Sequence, residues 1–463
     1  PHIPGNGAHT TIGASLPPDI MSDRESFHFE RRTITGWGRT MPVVAQLSHV
    51  SPRDVSKIVS QTMGRPSLLR GLGRSYGDAA QISGGSVFQL EDDIDAVELD
   101  ESSSRIRCPA GVTFDTLLKY LVPRGYFVPV TPGTRFVTVG GAVASDIHGK
   151  NHHVDGSFGH HVEELTLLLA DGSIRSLSPH QESDLFWATV GGMGLTGAIL
   201  EVTFGLLRIE TSMCTVNTIR CANIDDLIDS MSVGDDDVRY SVAWTDLLST
   251  GKNLGRSILW RGDHSRVEEI ASRGDERLAY RADQLLSIPN FVPPPGVVNK
   301  STSKIFNELW YRRVPKASTT QIKSIPAYFH PLDAVGNWNR LYGRSGFLQY
   351  QFVLPFGHED VLRSIVDAIA HDGNATPLVV LKRFGAGNNG MLSFPMPGWT
   401  LTVDFPAAAP GLPSLLRDLD ELVLAHGGRH YLAKDAHAAP DVIERGYPRL
   451  DEWRKIKHKY DPT

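Results

Sequence analysis

Two glycine-rich segments carry residue types suited to holding a large anionic ligand. The first, RGLGRSYGD from Arg70 to Asp78, directly follows an apolar, strand-like run. Glycine lets the backbone approach a ligand closely, and successive backbone N–H groups form a nest for an anion. Arg70, Arg74 and Ser75 add side-chain donors suited to a pyrophosphate. Ordinary surface loops share this composition, so the segment alone leaves both interpretations open.

The second segment, PGTRFVTVGGAVASDIHGKNHH, runs from Pro132 to His153. Small residues between Gly140 and Ser145 permit the close approach of a flat ligand. The polar residues that follow would then lie beside that ligand. Two such loops, joined by strands and a helix, suit a long bent cofactor.

A third segment, from Gly192 to Gly197, matches the pattern GxGxxG. The dinucleotide-binding form of this motif needs a strand before it and a helix after it. Here the helix-like DLFWATV precedes the glycines and a β-branched strand follows. The inverted order predicts close packing at a helix-to-strand corner rather than a dinucleotide site.

Three strand-like runs later in the chain place polar side chains among apolar ones. Side chains alternate between the two faces of a strand. A face that mixes amides, a lysine and hydroxyls is unusual for a core and typical of a sugar pocket. Taken alone, a lysine near a strand end is more often a surface residue. The residues that share a face are Gln349 with Gln351, Val380 with Lys382 and Phe384, and Thr400 with Thr402 and Asp404.

The histidines at positions 148, 152, 153, 160 and 161 resemble a metal cluster only superficially. No carboxylate or cysteine at ligand spacing accompanies them, so we predict no metal site. The cysteines, Cys108, Cys214 and Cys221, show neither a disulfide framework nor a CxxC motif.

The elements that position these residues change in character along the chain. Up to about residue 210, strands alternate with helices, which predicts an α+β region of mixed sheets. Beyond about residue 212 the strands alternate apolar with polar residues, as half-buried antiparallel strands do. The run SIPNFVPPPGVVNKSTSK predicts a long loop, and PSLLRDLDELVLAHGG an amphipathic helix that ends at glycine.

Composition excludes several classes of protein. The chain has 463 residues and a net charge of −6, with 44 glycines and 29 prolines. It contains no apolar run long enough to span a bilayer. Mild acidity argues against a surface that neutralises nucleic-acid phosphates.

At this level of detail the residues resemble a known family. RGLGRSYGD, PGTRFVTVGGAVASDIHGKNHH, FGHHVEELTLLLADGSI and DLFWATVGGMGLTGAILEVTF occur in this order. Together they resemble the FAD-binding domain of the vanillyl-alcohol oxidase/p-cresol methylhydroxylase (PCMH) superfamily. Within it, DIHGKNHH, SVAWTDLL, GFLQYQFVLP, VVLKRFG and YLAKDA are similar to the decaprenylphosphoryl-β-D-ribose 2-oxidase family, over nearly all of residues 30–460.

The resemblance implies an α+β fold: a two-subdomain PCMH-type FAD-binding domain interrupted by a substrate domain built on an antiparallel β-sheet with helices. On this basis we expect a flexible leader at 1–30 and the FAD-binding domain at 31–212. The substrate-binding domain would span 213–428, and residues 429–463 would return to the FAD-binding domain.

The resemblance also assigns candidate site residues. The expected cofactor-binding residues are Leu69, Arg70, Gly71, Leu72, Gly73, Arg74, Ser75, Tyr76, Gly77, Asp78, Ala79, Gly133, Thr138, Val139, Gly140, Gly141, Ser145, Asp146, Ile147, His148, Leu200 and Tyr431. The expected substrate-binding residues are Lys150, Trp244, Asn339, Gln349, Gln351, Lys382, Thr400, Thr402 and Lys434. For catalysis we expect Lys434 to act as cation or base, with His148 as the rival base and Tyr76 beside the flavin ring.

Three departures from the family pattern refine these expectations. Arg74 occupies the place where several superfamily members carry a histidine bonded to the flavin, so we expect FAD to be held non-covalently. Thr402 occupies the place of a cysteine common among these oxidases, which excludes thiol attack on a bound electrophile. The sequence ends at Thr463, where the family pattern leads us to expect a further short segment.

The family implies FAD-dependent oxidation of the C2 hydroxyl of decaprenylphosphoryl-β-D-ribose to the 2-keto sugar. This is the first half of epimerisation to the arabinose donor for cell-wall arabinan, completed by a separate NAD(P)H-dependent reductase. The alternatives are an aldonolactone oxidase of the same superfamily and a non-catalytic flavin-binding protein. The lipid-linked substrate implies a position at a membrane, in the cell envelope or on the cytoplasmic side.

Overall fold

The computed structural model describes residues 27–51, 54, 55, 57, 58, 66–289, 292 and 296–462. Part of the predicted proline-rich loop lies outside these residues. Phe27 and Phe29, near the end of the predicted leader, pack edge-on against Phe88, with ring centroids 5.4 and 5.6 Å apart. The domain boundaries, including that of the leader, stay predictions.

The first region of the chain forms two separate sheets. In the first sheet, β2 and β3 lie parallel to β4, and β1 lies antiparallel to β2. The second sheet is antiparallel in the order β5-β6-β10-β8-β9, and the short β7 and β11 pair beside it. The strands are β1 Glu30–Ile34, β2 Val43–Val50, β3 Ser67–Arg70, β4 Ser86–Leu90, β5 Glu98–Asp100, β6 Arg105–Pro109, β7 Tyr126–Phe127, β8 Val162–Leu168, β9 Ile174–Leu177, β10 Ala198–Gly205 and β11 Leu207–Arg208.

Helices cover the second sheet and close its core. The first helix begins after Thr113, whose hydroxyl accepts a hydrogen bond from the Thr116 N–H at 3.2 Å. It is followed by a turn that ends at Gly125, in a left-handed conformation with φ of 79°. Leucines at i and i+4 face the sheet, as the amphipathic pattern predicts. These helices are α1 Phe114–Leu121, α2 Val139–Ala144, α3 His152–Asp155 and α4 Ser183–Thr189.

The second region is built on an antiparallel sheet of eight strands in the order β16-β12-β14-β13-β19-β20-β18-β21. Leu381, Leu401 and Val403 point from one face into a core shared with three helices. The opposite face carries the polar residues at alternate positions. The strands are β12 Met213–Cys221, β13 Tyr240–Thr245, β14 Ser257–His264, β15 Leu286–Ser287, β16 Thr319–Ser324, β17 Val335–Gly336, β18 Phe347–Leu354, β19 Val379–Phe384, β20 Gly398–Pro406 and β21 Arg429–His430. The remaining helices are α5 Ile224–Gly234, α6 Lys300–Arg312, α7 Ile325–Phe329, α8 Glu359–Asp372, α9 Leu412–Ala425, α10 Pro440–Gly446 and α11 Leu450–Tyr460.

The chain then returns to the first region. After β21 at the sheet edge, the Tyr431 hydroxyl donates to the Ser145 carbonyl at 2.9 Å, and the Tyr76 N–H donates to the Ala433 carbonyl at 3.0 Å. In α11, the indole N–H of Trp453 donates to the Ala188 carbonyl at 2.9 Å. These contacts hold the C-terminal segment against the glycine-rich loops. The architecture confirms the predicted α+β class.

Candidate active site

A cavity of about 1030 Å³ lies between the glycine-rich loops and the polar face of the eight-stranded sheet. The loop after β3 and the start of α2 form one side. The predicted residues on β18, β19 and β20 form another, together with the return segment that carries Lys434. Most of the site residues predicted from the sequence line this cavity.

The loop after β3 presents backbone donors to the cavity. Within the described residues, the N–H groups of Leu72, Gly73, Arg74 and Ser75 donate to no other part of the chain. Gly73 has a positive φ of 63°, a conformation that glycine adopts without strain. Consecutive free amides at the wall of a large cavity fit a pyrophosphate.

The two arginines of this loop are partly engaged in shaping it. The Arg70 guanidinium donates to the carbonyls of Ala80 at 2.5 Å and Thr35 at 2.6 Å. The Arg74 guanidinium donates to the Phe136 carbonyl at 3.1 Å and lies 4.0 Å from the centre of the Trp37 ring. Backbone amides are therefore the more available donors for the cofactor.

The second glycine-rich segment meets the first directly. The Thr138 hydroxyl begins α2 by accepting from the Gly141 N–H at 3.2 Å. A Cβ on Gly71 would lie 2.5 Å from that hydroxyl oxygen, and a Cβ on Gly140 would lie 2.8 Å from the Ala110 Cβ. Because side chains have no space at these points, bare backbone lines the wall. This surface fits a flat, extended cofactor such as FAD.

His148 lies at the junction of the two regions. Its Nδ1 is 3.0 Å from the Lys382 Nζ, and its Nε2 is 3.0 Å from the Gln351 amide nitrogen. The same amide donates to the Thr400 hydroxyl at 3.2 Å, and that hydroxyl donates to the Phe352 carbonyl at 2.8 Å. Both ring nitrogens are therefore engaged by partners on the sheet.

Lys434 reaches the same space from the return segment. Its Nζ lies 3.9 Å from the centre of the Tyr76 ring. The fully buried Asp404 lies nearby and accepts from the Gln349 amide at 2.5 Å and from the Tyr342 hydroxyl at 3.3 Å. One carboxyl thus sits in a site that also holds several amines.

Burial brings the proton affinities of these groups close together. It lowers the pKa of Lys382 to about 7, assisted by the charges of Lys434 and Lys150, and it lowers the pKa of Lys150 to about 7. Burial lowers the pKa of Lys434 to about 8, although the Asp404 carboxylate acts in the opposite sense. Burial also raises the pKa of Asp404 to about 7. Burial, then Lys382, lowers the pKa of His148 well below its ordinary value. The three lysines and Asp404 can therefore exchange protons near neutral pH.

The comparisons with known proteins agree with this geometry. A family model described as an FAD binding domain matches residues 48–178. A decaprenylphosphoryl-β-D-ribose oxidase from Mycolicibacterium smegmatis is 43% identical over 451 residues, which cover 96% of this chain and 97% of that protein. The chain belongs to the decaprenylphosphoryl-β-D-ribose oxidase family. It is an FAD-dependent oxidoreductase that acts on a CH–OH group.

More distant relatives share less of the chain. An uncharacterised protein from Streptomyces coelicolor is 37% identical over 76% of this chain and 96% of its own length. A Neurospora crassa protein named after D-arabinono-1,4-lactone oxidase is 28% identical over 36% of this chain and 31% of its own length. This oxidase family therefore accounts for nearly the whole chain, and the lactone oxidase for about a third of it.

Some residues predicted for cofactor binding lie outside the cavity lining. Asp78 is exposed to solvent. Gly77 packs against the Asp435 carbonyl, and Val139 points into the core. Leu200 packs beneath the first sheet, while its neighbour Ile199 lines the cavity, because adjacent strand residues face opposite ways.

Asp146 is a structural acceptor rather than a lining residue. Its fully buried carboxylate accepts from the Gly159 N–H at 2.8 Å, from the Ser157 hydroxyl at 2.9 Å and from the Asn388 amide at 2.8 Å. These bonds fix the loop that carries His148. Asp146 thus supports the site from behind.

The predicted substrate residues Trp244, Asn339 and Thr400 also lie outside the lining. The Trp244 indole donates to the Pro377 carbonyl at 2.7 Å, so its neighbour Val242 lines the cavity instead. Asn339 donates to the Trp37 carbonyl at 3.0 Å and lines a smaller adjoining pocket. Thr400 acts through Gln351, as described above.

Other lining residues were not predicted. Asp404, which strand alternation had placed on the face of Thr402, lines the cavity although it was not among the predicted site residues. Trp310, Arg313 and Lys323 line the outer part of the cavity, at the end of α6 and on β16. No local sequence signal identifies these three, because their place depends on how the end of α6 packs against β13 and β14 of the sheet.

The clustered histidines have separate partners. His152 packs against Phe384 with ring centroids 4.4 Å apart and planes tilted by 46°, and the His153 Nε2 lies 2.9 Å from the Asp235 carbonyl. The His161 Nε2 lies 2.9 Å from the Asp155 carbonyl. In the part of the chain that the structure describes, no group of residues has the composition of a metal site. Within the same residues, no helix has the length and apolar character needed to cross a bilayer.

Proposed function

We propose that this oxidase converts the C2 hydroxyl of a polyprenyl-phosphoryl-β-D-ribose, decaprenylphosphoryl-β-D-ribose in the first instance, into a ketone. The observation that carries the proposal is that three amines, Lys150, Lys382 and Lys434, line the cavity beside the FAD cradle. An anionic sugar phosphate suits this excess of amines, whereas a neutral sugar lactone gains little from it.

When bound, FAD accepts the hydride that leaves the carbinol carbon of the sugar. The chain must then take the hydroxyl proton and stabilise the negative charge that develops on the oxygen. We assign both tasks to residues on strands β19 and β20 and on the return segment after β21. Backbone amides of the loop after β3 would hold the pyrophosphate.

Lys434 is the better candidate for the proton transfer. Its pKa of about 8 allows both protonation states near neutral pH. His148 is less free to act, since Lys382 and Gln351 engage its two ring nitrogens. In this scheme Lys382 and Lys150 bind the anionic part of the substrate, and His148 orients Lys382. Tyr76 packs under the Lys434 amine and holds it in place.

The product of this step would be a 2-keto sugar still attached to its lipid. Epimerisation requires a hydride from a second source, and we propose a separate NAD(P)H-dependent reductase as the partner. The GxGxxG segment of this chain cannot supply that site, because Gly192 to Gly197 connects helix α4 to strand β10. We further propose a position at the membrane of the cell envelope, where a lipid-linked sugar is held.

Anaerobic flavin bleaching tests the proposal directly. The holoenzyme is mixed with a prenyl-phosphoryl-β-D-ribose, and loss of the oxidised flavin band is followed together with formation of the 2-keto sugar. We expect stoichiometric bleaching by this substrate and none by an aldonolactone. Bleaching by the lactone alone would favour an aldonolactone oxidase, and no bleaching by either would indicate a non-catalytic flavoprotein.

A further inference from the structure

Helix α6 shows its apolar side to solvent. Its buried positions are Ser303, Asn307 and Tyr311, one residue per turn. Ile305 is 62% exposed and Leu309 is 67% exposed. A surface helix of a globular protein normally has the opposite arrangement, with its apolar stripe facing the core.

Polar bonds attach α6 to the protein, so its exposed face is not the result of loose packing. The Asn307 amide donates to the Asp246 carboxylate at 2.6 Å, and the Tyr311 hydroxyl donates to the Cys221 carbonyl at 3.1 Å. The helix begins at Asn299, whose side chain accepts from the Ser301 and Thr302 N–H groups at 3.1 and 3.2 Å. The helix is therefore fixed in the orientation that exposes Ile305 and Leu309.

Aromatic rings extend the apolar face toward the cavity. Phe306 is 45% exposed and stacks on Trp310, with ring centroids 5.6 Å apart and planes 14° apart. We call the set Ile305, Phe306, Leu309 and Trp310 the α6 apolar face. The Trp310 indole N–H has no acceptor among the described residues.

The charges around this face are mainly positive, although the whole chain carries −6. Lys300, Lys304, Arg312, Arg313 and Lys316 are all exposed on α6 or just after it. The acidic residue of the helix, Glu308, is paired with Arg256 at 2.6 Å and also with Arg312. A local excess of cations thus surrounds an exposed apolar surface.

The α6 apolar face is continuous with the outer part of the active-site cavity. Trp310, Arg313 and Val314 line that cavity, together with Lys323 on β16. The Arg313 guanidinium lies 4.2 Å from the centre of the Trp310 ring. Burial, then the charge of Arg313, lowers the pKa of Lys323. A chain leaving the sugar site by this route would emerge beside α6.

We infer that α6 is a membrane-docking helix, which lays its apolar face into the interface of an anionic phospholipid bilayer at the mouth of the substrate cavity. An exposed apolar stripe with an aromatic pair and flanking lysines and arginines is typical of helices that lie in a bilayer interface. The inference rests on the proposed function for the lipid-linked substrate, and it adds the surface through which that lipid would enter.

Vesicle sedimentation tests the docking surface without depending on turnover. Purified holoenzyme is mixed with vesicles of equal parts phosphatidylcholine and phosphatidylglycerol, and the bound fraction is measured. We expect binding that weakens as salt rises, because the cations contribute to it. The double variant Ile305→Glu/Leu309→Glu should lower the partition coefficient by roughly tenfold or more. A milder variant, Phe306→Ser, should lower it by a smaller factor if the double variant does not fold.

The matched control replaces exposed apolar residues elsewhere. Val233 is 84% exposed and Ile174 is 52% exposed, and both lie outside α6. Val233→Glu/Ile174→Glu should bind vesicles like the wild type. Equal losses in the two double variants would overturn the assignment of the surface.

Flavin bleaching separates this inference from the proposed function. With a water-soluble short-prenyl substrate, Ile305→Glu/Leu309→Glu should bleach as fast as the wild type, whereas with substrate embedded in vesicles it should be slower. A wild type that binds vesicles but is bleached by neither substrate would contradict the proposed function alone. A wild type that does not bind vesicles would overturn the docking helix. The docking helix would also be overturned if the wild type were a dimer, the double variant were a monomer, and vesicle binding were the same in both.

Discussion

The two walls of the cavity recognise their ligands by different means. The wall built by the loop after β3 and by α2 offers backbone amides and the absence of side chains at Gly71 and Gly140. The wall built by the eight-stranded sheet and the return segment offers titratable side chains such as Lys382 and Lys434. The first wall acts through shape and fixed dipoles, and the second acts through charge. We therefore expect changes on the first wall to affect cofactor affinity and changes on the second to affect rate and pH dependence.

The largest effect should come from Lys434→Met. Without the amine, no group takes the substrate proton from this position, so the flavin reduction rate should fall by about 10²–10⁴-fold. Stopped-flow reduction measures the rate, and absorbance shows whether FAD is retained. Lys252→Met, at an exposed turn, is the control and should reduce its flavin at the wild-type rate. A normal rate in Lys434→Met would leave His148 as the base.

The next largest effect should be on FAD affinity in Gly140→Ala. The added Cβ would lie 2.8 Å from the Ala110 Cβ and would displace the wall of the cradle. Overpacking of this kind costs about 1–3 kcal/mol, so the FAD dissociation constant should rise roughly tenfold to a hundredfold. In the control Gly205→Ala, on β10, the nearest atom is the Glu163 Oε1 at 3.9 Å. FAD titration should show unchanged affinity in Gly205→Ala. Equal weakening in both variants would refute the assignment of Gly140 to the FAD-binding wall.

Asp404→Asn should change the pH dependence rather than remove activity. The Asp404 carboxylate raises the pKa of Lys434 against the effect of burial, so its neutralisation should lower that pKa from about 8. The limb of the rate–pH profile that belongs to Lys434 should move to lower pH. If that limb rises with pH, Lys434 acts as base, and if it falls, Lys434 acts as cation. The exposed control Asp418→Asn should leave the profile unshifted. An equally unshifted profile in Asp404→Asn would show that Asp404 does not set the pKa of Lys434.

Lys382→Met should stabilise the cofactor-free protein at neutral pH while slowing substrate oxidation. The folded-state pKa of about 7 lies below the ordinary value of 10.5. The unfolded chain therefore binds more protons between these values, and stability should rise as pH rises from about 7 to 10. Methionine should remove this slope and raise the melting temperature at pH 7 by about 1 °C per kcal/mol gained. If the melting temperature of Lys382→Met depends on pH as in the wild type, the buried Lys382 amine is not the cause of this slope.

The smallest effect on rate should come from Thr402→Cys. The cysteines already present, Cys108, Cys214 and Cys221, are buried, and burial raises the pKa of each thiol, so they should resist thiol reagents. A thiol at position 402, on the charged wall, should become modifiable by a thiol-reactive electrophile that enters the cavity. Mass spectrometry should show one adduct in the variant and none in the wild type, with flavin reduction little changed before modification.

The two walls also differ in how far the sequence predicts them. The glycine-rich loops were predicted from composition, because a backbone that must approach a ligand excludes side chains at fixed positions. Alternation along β18, β19 and β20 predicted which side chains share the cavity face. Alternation does not determine how far along a strand the cavity extends. The family resemblance placed Trp244 and Thr400 in the lining, but they lie beside or behind it.

Long-range packing explains the remaining differences. Asp146 lies in a polar loop next to predicted cofactor ligands, yet its carboxylate is satisfied by Ser157, Gly159 and Asn388 from later segments. Trp310 and Arg313 belong to a helix that follows a proline-rich run. Their place at the cavity depends on how α6 packs on the sheet, and no local pattern encodes that packing.

The return of the chain after β21 has a consequence for the order of events during synthesis. The Tyr76 N–H in the cofactor loop is paired with the Ala433 carbonyl, and Ser145 is paired with Tyr431. A nascent chain on the ribosome can form the first sheets long before residues 431–434 leave the exit tunnel. The cofactor loops gain their last supports only when the C-terminal segment arrives. We therefore expect stable loading with FAD to follow synthesis of the C-terminal segment.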